Sequence, residues 1–144
     1  MASTLDNQSE FMKERFIVPN ISFISLFVPN LAETALRYAS LLEVSPSDDS
    51  HAAPAPHPFA TKGPVVFRLG AVSLALYECD GRITHPGDVG IGLECAVAQT
   101  VDRLASLAGT VIWGPTPIGE TERKLAVGMM PDRHFFELVG TEGG

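Results

Sequence analysis

A strand-turn-helix unit at residues 21–42 constrains the fold of this chain most strongly, because the chain uses a similar unit twice. Residues 21–28 are rich in β-branched and aromatic side chains, which favours a β-strand. Asn30, with Glu33 three positions later, is typical of a capping box at the start of a helix. Apolar residues then recur at helical spacing up to Leu42. The sequence therefore predicts a strand followed by an amphipathic helix.

The second unit begins about 67 residues after the first. Residues 90–95 form another strand-like run, and apolar residues recur at helical spacing from Val97 to Ala108. The segment Arg-Tyr-Ala-Ser-Leu-Leu at 37–42 is echoed by Arg-Leu-Ala-Ser-Leu-Ala at 103–108. This pattern indicates an internal duplication, in which each half of the chain is one module.

The rest of the first module contains a long loop and a hairpin. Residues 45–62 include four prolines, which cannot carry a regular ladder or helix for long, so we predict a surface loop over or beside a cleft. Residues 64–69 and 72–78 read as a hairpin joined at Gly70 and Ala71. The order is β-α-loop-β-β, and one strand of this module is expected to be short or degraded between residues 43 and 62.

The second module follows a linker at residues 79–87. We expect its helix to end at Gly109, which can adopt the positive φ of a C′ residue. A short strand at 110–113, a loop at 114–119 and strands at 123–129 and 134–139 complete the order β-α-β-β-β.

Composition limits the classes of function. The 144 residues suit one domain or two small modules, and the formal charge of −7 argues against a nucleic-acid partner. No apolar run approaches the roughly 20 residues of a membrane helix, so we expect no membrane partner. Cys79 and Cys95 are too few for a disulfide scaffold, which favours a cytoplasmic location.

Two motifs resemble the vicinal oxygen chelate superfamily, the group of glyoxalase I, the bleomycin-resistance proteins and the extradiol dioxygenases. One is the Val-Pro-Asn turn before the first helix, and the other is Met-Pro-Asp-Arg-His-Phe-Phe-Glu-Leu at 130–138, where Arg133 replaces the usual glycine. The resemblance implies an α+β fold in which two tandem βαβββ modules form an open, incomplete barrel around a cleft, with the helices outside. It divides the chain into an N-terminal extension, 1–19, and a single domain, 20–140, with modules at about 20–80 and 88–140.

In the metalloenzymes of this superfamily, each module supplies two ligands to one divalent ion. The corresponding positions here are Phe23, Glu78, Gly90 and Glu137. Phenylalanine and glycine offer no donor side chain, so we expect no metal cofactor. If a divalent ion binds, Glu78 and Glu137 would hold it. His51 and His57 lie in the long loop, where a completing role stays open, but each histidine, including His85 and His134, is expected to be an ordinary surface or loop residue.

Strand alternation predicts which side chains line the cleft. Phe23, Ser25 and Phe27 should share the cleft face of the first strand, while Ile24, Leu26 and Val28 should meet the helix. Trp113 could stack on a flat or cationic ligand. The predicted ligand-binding residues are Phe23, Ser25, Phe27, Leu76, Glu78, Glu94, Trp113, Phe135 and Glu137.

Two functions follow from the resemblance. One is a metal-free protein that binds a small molecule, sequestering a cationic or aromatic compound. The other is a divalent-metal-dependent lyase, isomerase or dioxygenase of the glyoxalase type that uses Glu78 and Glu137. The resemblance also implies a homodimer, whose interface would cover an exposed concave face and an open sheet edge.

Overall fold

A computed structural model of the chain describes residues 18–48, 52–82 and 84–141. Its seven strands form one mixed sheet in the order β2-β3-β1-β4-β7-β6-β5, and the two helices lie on one side of it. The expected α+β fold, an open barrel that does not close, is confirmed. The elements are β1 (Asn20–Val28), α1 (Leu31–Leu42), β2 (Ala60–Leu69), β3 (Val72–Cys79), β4 (Val89–Glu94), α2 (Val97–Ser106), β5 (Thr110–Pro117), β6 (Arg123–Met129) and β7 (Phe135–Thr141).

The two modules meet edge to edge through their first strands. β1 and β4 are antiparallel, with Phe23 opposite Gly92 and Ser25 opposite Gly90. Each of these strands also has a parallel neighbour from its own module, β3 for β1 and β7 for β4. The predicted duplication therefore has a structural counterpart, because the same strand arrangement occurs on both sides of the junction.

Both helices cover the convex face of the sheet. The Asn30 side chain accepts a hydrogen bond from the Glu33 amide at 3.0 Å, which is the Asn30 half of the predicted capping box. The Glu33 carboxylate pairs with Arg37 instead. Leu31 packs against Val28 and Leu76, while α2 places Val97 against the other half of the sheet. Burying these apolar faces fixes the helices outside and leaves the concave face for the cleft.

The end of α2 differs from the prediction. Ala108, not Gly109, adopts positive φ, at 65°. Gly109 is required for another reason: a Cβ there would lie 2.4 Å from the Leu104 side chain. β5 also runs to Pro117, through most of the segment predicted as a loop.

In the described residues, the first module has one strand fewer than the second, which agrees with the expectation of a short or degraded strand. Between α1 and β2 the described residues contain no strand, and one backbone hydrogen bond from Ser47 to Val66 marks where it would lie. The segment at 52–59 enters the space enclosed by the concave face of the sheet and does not stay on the surface above it. Ala53 and Phe59 are 6% and 3% exposed, so this cleft loop, as we name residues 52–59, fills the space between the modules.

Several expectations lie beyond what the structure tests. His51 and most of the N-terminal extension fall outside the described residues. The domain boundaries and the homodimer stay predictions. Within the described residues, no helix is both long and apolar enough to span a membrane.

Candidate functional site

The centre of the cleft is a buried carboxylate held by two side chains. Glu137, from β7, accepts a hydrogen bond from the Ser25 hydroxyl at 2.6 Å. Its other oxygen, Oε1, lies 2.9 Å from Nε2 of His57, which comes from the cleft loop. The side chains of Glu137 and His57 are both 0% exposed. Three distant parts of the chain therefore converge on one carboxyl group.

The hydrogen bonds of His57 define its protonation. Its Nδ1 accepts the backbone amide hydrogen of Phe59 at 3.1 Å, so this nitrogen carries no hydrogen. The ring hydrogen is consequently on Nε2, which donates to Glu137. Because this imidazole is neutral and the Ser25 hydroxyl is neutral, neither partner balances a negative charge on the carboxylate.

Aromatic rings enclose His57. Its ring centroid lies 4.7 Å from that of Tyr77, 5.2 Å from Phe27 and 5.6 Å from Phe59. Phe27 stacks on Tyr77 at 5.7 Å and contacts Phe135 at 6.0 Å. The result is an aromatic box around a heteroaromatic ring, with a carboxylate at its base.

Side-chain contacts hold the cleft loop in place. The Tyr77 hydroxyl donates to the Pro54 carbonyl at 2.6 Å, and the Thr84 hydroxyl donates to the Phe59 carbonyl at 2.8 Å. Burial raises the pKa of the Tyr77 hydroxyl well above its usual range, and the charge of Glu137 raises this pKa further. Tyr77 is therefore a neutral donor that anchors the loop.

Two glycines in β4 make room for this arrangement. A Cβ on Gly90 would lie 2.7 Å from Oε1 of Glu137 and 2.6 Å from the ring of Phe135. A Cβ on Gly92 would lie 2.3 Å from the ring of Phe23. Since real Cβ atoms do not approach so closely, both positions must be glycine for the carboxylate and the rings to occupy the cleft.

The cleft loop leaves a cavity on each side. The first, of about 190 Å³, is lined by Phe23, Ser73, Arg68 and the ion pair in which Arg123 donates to both oxygens of Glu94 at 2.7 and 2.9 Å. The second, of about 510 Å³, lies beyond Phe59 and Phe135. Neither Glu137 nor His57 lines either cavity, because the loop buries both.

The structure brings together some of the predicted site residues. Phe23, Ser25, Phe27 and Glu137 lie in or beside the aromatic box, and Phe135 contacts it. Glu94 lines the first cavity. Trp113 packs against the same apolar cluster and lies beside Pro56 and Pro58 of the cleft loop.

Leu76 and Glu78 were expected on the cleft face and are not there. Leu76 packs with Leu31 of α1 on the convex face. In β3 it is Ala75 and Tyr77 that face the cleft, so Glu78 points away, and its carboxylate lies 3.8 Å from Lys62. β3 is apolar on both faces, so the sequence did not indicate which set of side chains points inward.

The residues present do not fit the metal that this fold carries in its metalloenzymes. Phe23 and Gly90 supply no donor, Glu78 is on the other face, and Glu137 uses both oxygens on Ser25 and His57. The Nε2 of His57 carries a hydrogen and cannot act as a ligand in this arrangement. In the described residues, no three His, Cys, Asp or Glu side chains form a group that could hold a metal ion.

Sequence reasoning missed His57 and Tyr77. His57 was expected to be an ordinary surface or loop residue; it lies in a loop, but it is only 3% exposed and bonds to Glu137. A signal was available, because His57 is the only polar residue in the run Ala-Ala-Pro-Ala-Pro-His-Pro-Phe-Ala at 52–60. A loop with so few polar residues is unusual at a protein surface and is more often buried. A histidine buried with it then needs a hydrogen-bond partner inside the protein.

Comparison with known proteins supports the fold. No protein-family model matches the chain, and no curated protein matches it in sequence. Among solved structures, a variant of Streptomyces coelicolor methylmalonyl-CoA epimerase in complex with 2-nitronate-propionyl-CoA is similar, with 14% identity and a TM-score of 0.63, over 85% of this chain and 94% of that one. A glyoxalase/bleomycin resistance protein/dioxygenase superfamily member from Vibrio splendidus aligns over 85% and 99%, with 13% identity and a TM-score of 0.55.

A third similar structure is described as the NAD-dependent benzaldehyde dehydrogenase from Legionella pneumophila, with 16% identity and a TM-score of 0.56, over 83% of this chain and 97% of that one. Two of the three descriptions name different activities, an epimerase and a dehydrogenase, and the third names only a superfamily. At this level of identity the likeness establishes the vicinal oxygen chelate fold, and the function has to be argued from the site.

Proposed function

We propose that the protein binds a small organic cation in its cleft, without a metal, by placing an N–H group of the ligand on Glu137. The observation that carries this proposal is the position of His57. Its imidazole is a small, flat, N–H-bearing ring that donates to a buried carboxylate within an aromatic box. The side chain occupies the cleft as a bound ligand would, so its surroundings specify what the cleft accepts.

A cationic ligand would bind Glu137 more strongly than His57 does. A cation adds a direct charge–charge attraction to its hydrogen bond with Glu137, which the neutral imidazole does not supply, and this attraction is strong where water is excluded. The rings of Phe27 and Tyr77 add attraction for a positive charge, on the order of 0.5–2 kcal/mol when it is desolvated. The ligand would therefore replace the imidazole, and residues 52–59 would leave the cleft.

The alternative of a metal-dependent enzyme that uses Glu78 and Glu137 has lost its basis, since the two carboxylates lie on opposite faces of the sheet. Sequestration needs only the cleft and its carboxylate.

We further propose a cytoplasmic location, supported by the free thiols of Cys79 and Cys95, and a homodimer, supported by the open edges of β2 and β5.

Benzamidine and its neutral isostere benzamide test the proposal. Calorimetry should detect benzamidine binding to the wild type and at least about tenfold weaker binding of benzamide. Glu137→Gln should lose most of the benzamidine affinity, while its carbonyl accepts from His57 and its amide donates to Ser25. Glu78→Gln removes the same charge from the other face and should bind as the wild type does.

Hydrogen exchange gives an independent readout of the loop. Benzamidine should accelerate exchange of the Phe59 amide, which donates to His57 in the closed arrangement. Equal binding to wild type and Glu137→Gln would refute the proposal, and so would binding that leaves the Phe59 amide protected.

A further inference from the structure

The larger of the two cavities is separate from the Glu137 site. It lies between the turn at 84–88, the first residue of β4, the beginning of β5 and the end of β6. Phe59 of the cleft loop closes it toward His57, and Phe135 separates it from Phe27. Its volume of about 510 Å³ is within the usual range for small-molecule sites, roughly 300–1,000 Å³.

Part of the cavity lining is apolar. Phe59 and Phe135 contribute two aromatic rings, and aliphatic side chains lie beside them. Val89 is 49% exposed, although it is a large apolar residue at the mouth of a cavity. The apolar lining residues are Phe59, Val89, Ile112, Met129 and Phe135. Such walls suit a flat apolar body that can lie against aromatic rings.

Basic side chains line the cavity from its rim, namely Arg133, His85 and His134. Among the described residues, Asp88 is the only acidic one that lines the cavity. Its Oδ2 accepts the His85 amide at 2.8 Å and lies 3.8 Å from the His85 ring, so this carboxylate is already engaged. Asp132 similarly faces His134, whose ring lies 3.3 Å away. Arg133 is therefore the permanent charge available to a ligand.

Arg133 has a backbone conformation that is unfavourable for any residue with a side chain. Its φ is 78°, in the left-handed region where a side chain costs about 1–2 kcal/mol relative to glycine. The turn from Met130 to His134 closes through backbone hydrogen bonds, none of which needs an arginine side chain. A glycine would form this turn at lower cost, which indicates that the guanidinium serves something other than the turn.

We infer that this cavity binds an aromatic carboxylate, whose ring lies against Phe59 and Phe135 and whose carboxylate is held by Arg133. A guanidinium matches a carboxylate through two parallel N–H donors. Since neither His57 nor Glu137 lines the cavity, the inference does not rest on the proposed cation site.

The test compares 2-naphthoate with its neutral isostere 2-naphthamide. Calorimetry on the full chain should give naphthoate an affinity at least about tenfold higher than that of naphthamide. Amide chemical-shift changes should cluster at Val89, Ile112 and Phe135. Arg133→Gly should weaken naphthoate binding by about 10- to 100-fold and leave naphthamide binding unchanged, so that the two affinities become similar.

Arg133→Gly is a favourable variant, because glycine relieves the positive φ and the melting temperature should not fall. Arg37→Gln is the matched control: it removes one positive charge from α1 and should bind naphthoate as the wild type does. Glu137→Gln should also bind naphthoate normally, which separates this inference from the cation site. Absence of naphthoate binding, equal affinity for the two probes, or full naphthoate affinity in Arg133→Gly would overturn it.

Discussion

His57 and Glu137 are 80 residues apart in sequence, and their side chains are joined by a 2.9 Å hydrogen bond that no solvent reaches. This single contact ties the cleft loop of the first module to the last strand of the second. It also places a neutral ring on a carboxylate whose other partner, Ser25, is neutral too. The stability of the closed cleft and the proposed binding of a cation therefore depend on the same atoms.

Glu137→Met should destabilise the protein, because the donors of Ser25 and His57 would be left buried without an acceptor. Each such loss costs about 1–3 kcal/mol in the free energy of unfolding. Glu137→Gln should cost much less, since an amide can serve both neighbours. Urea unfolding of both variants, with Glu78→Gln as a control on the other face, checks the difference. Equal losses for Met and Gln would contradict it.

His57→Ala should leave an imidazole-sized space beside Tyr77 and lower the melting temperature. Added imidazole should fill this space and restore part of the loss, as ligands do in engineered cavities. The same variant should bind benzamidine more tightly, because no internal side chain competes for Glu137. His134→Ala, whose side chain is 77% exposed, should show neither effect. Equal responses of the two variants to imidazole would rule the idea out.

Tyr77 should make stability depend on alkaline pH. Its folded pKa is raised by burial and then by Glu137, while the unfolded pKa stays near about 10. Above about pH 10 the unfolded state therefore binds fewer protons than the folded state, and the stabilising contribution is lost as pH rises.

Tyr77→Phe should be less stable at neutral pH, because it loses the bond to Pro54, and should lose less stability between about pH 9 and 11. Urea unfolding at several pH values measures both effects, and Tyr38→Phe, in α1 on the convex face, serves as the comparison. A parallel decline in wild type and Tyr77→Phe would contradict the expectation.

Gly92→Ala should destabilise the junction of the modules by about 1–3 kcal/mol, since its methyl group would overlap the ring of Phe23. In a Phe23→Ala background the same change should cost much less, because the methyl group would enter the space the ring has left. A double-mutant cycle measures this coupling. Additive effects would show that the two residues do not restrict each other.

The fold was largely predictable because it depends on local patterns. β1 has one helix-facing and one cleft-facing set of side chains, and the alternation placed Ser25 and Phe27 correctly. The Asn30 cap and the hairpin at Gly70 follow from turn chemistry, which involves only neighbouring residues.

The site was predictable only in part, because its contacts are not local. Ser73 and Ala75 in β3 are as buried as Leu76, so no contrast between its faces marked the inner one. The partner of His57 lies in the other module, and nothing near either residue encodes their pairing. Arg133 was visible as a departure from glycine, but only its φ shows that the departure has an energetic cost.

The apolar loop inside the cleft adds a free-energy cost to the binding of any ligand at the Glu137 site. When Phe59 leaves its buried position, its ring is transferred to water, at a cost of about 1.5–3 kcal/mol. The interactions of an incoming molecule with the cleft must exceed this cost before net binding is observed. Molecules that bind too weakly to offset this cost, such as water, ammonium or small alcohols, would leave the loop in place. The apolar residues of the unliganded cleft then stay buried and do not form an exposed surface on which other molecules could aggregate.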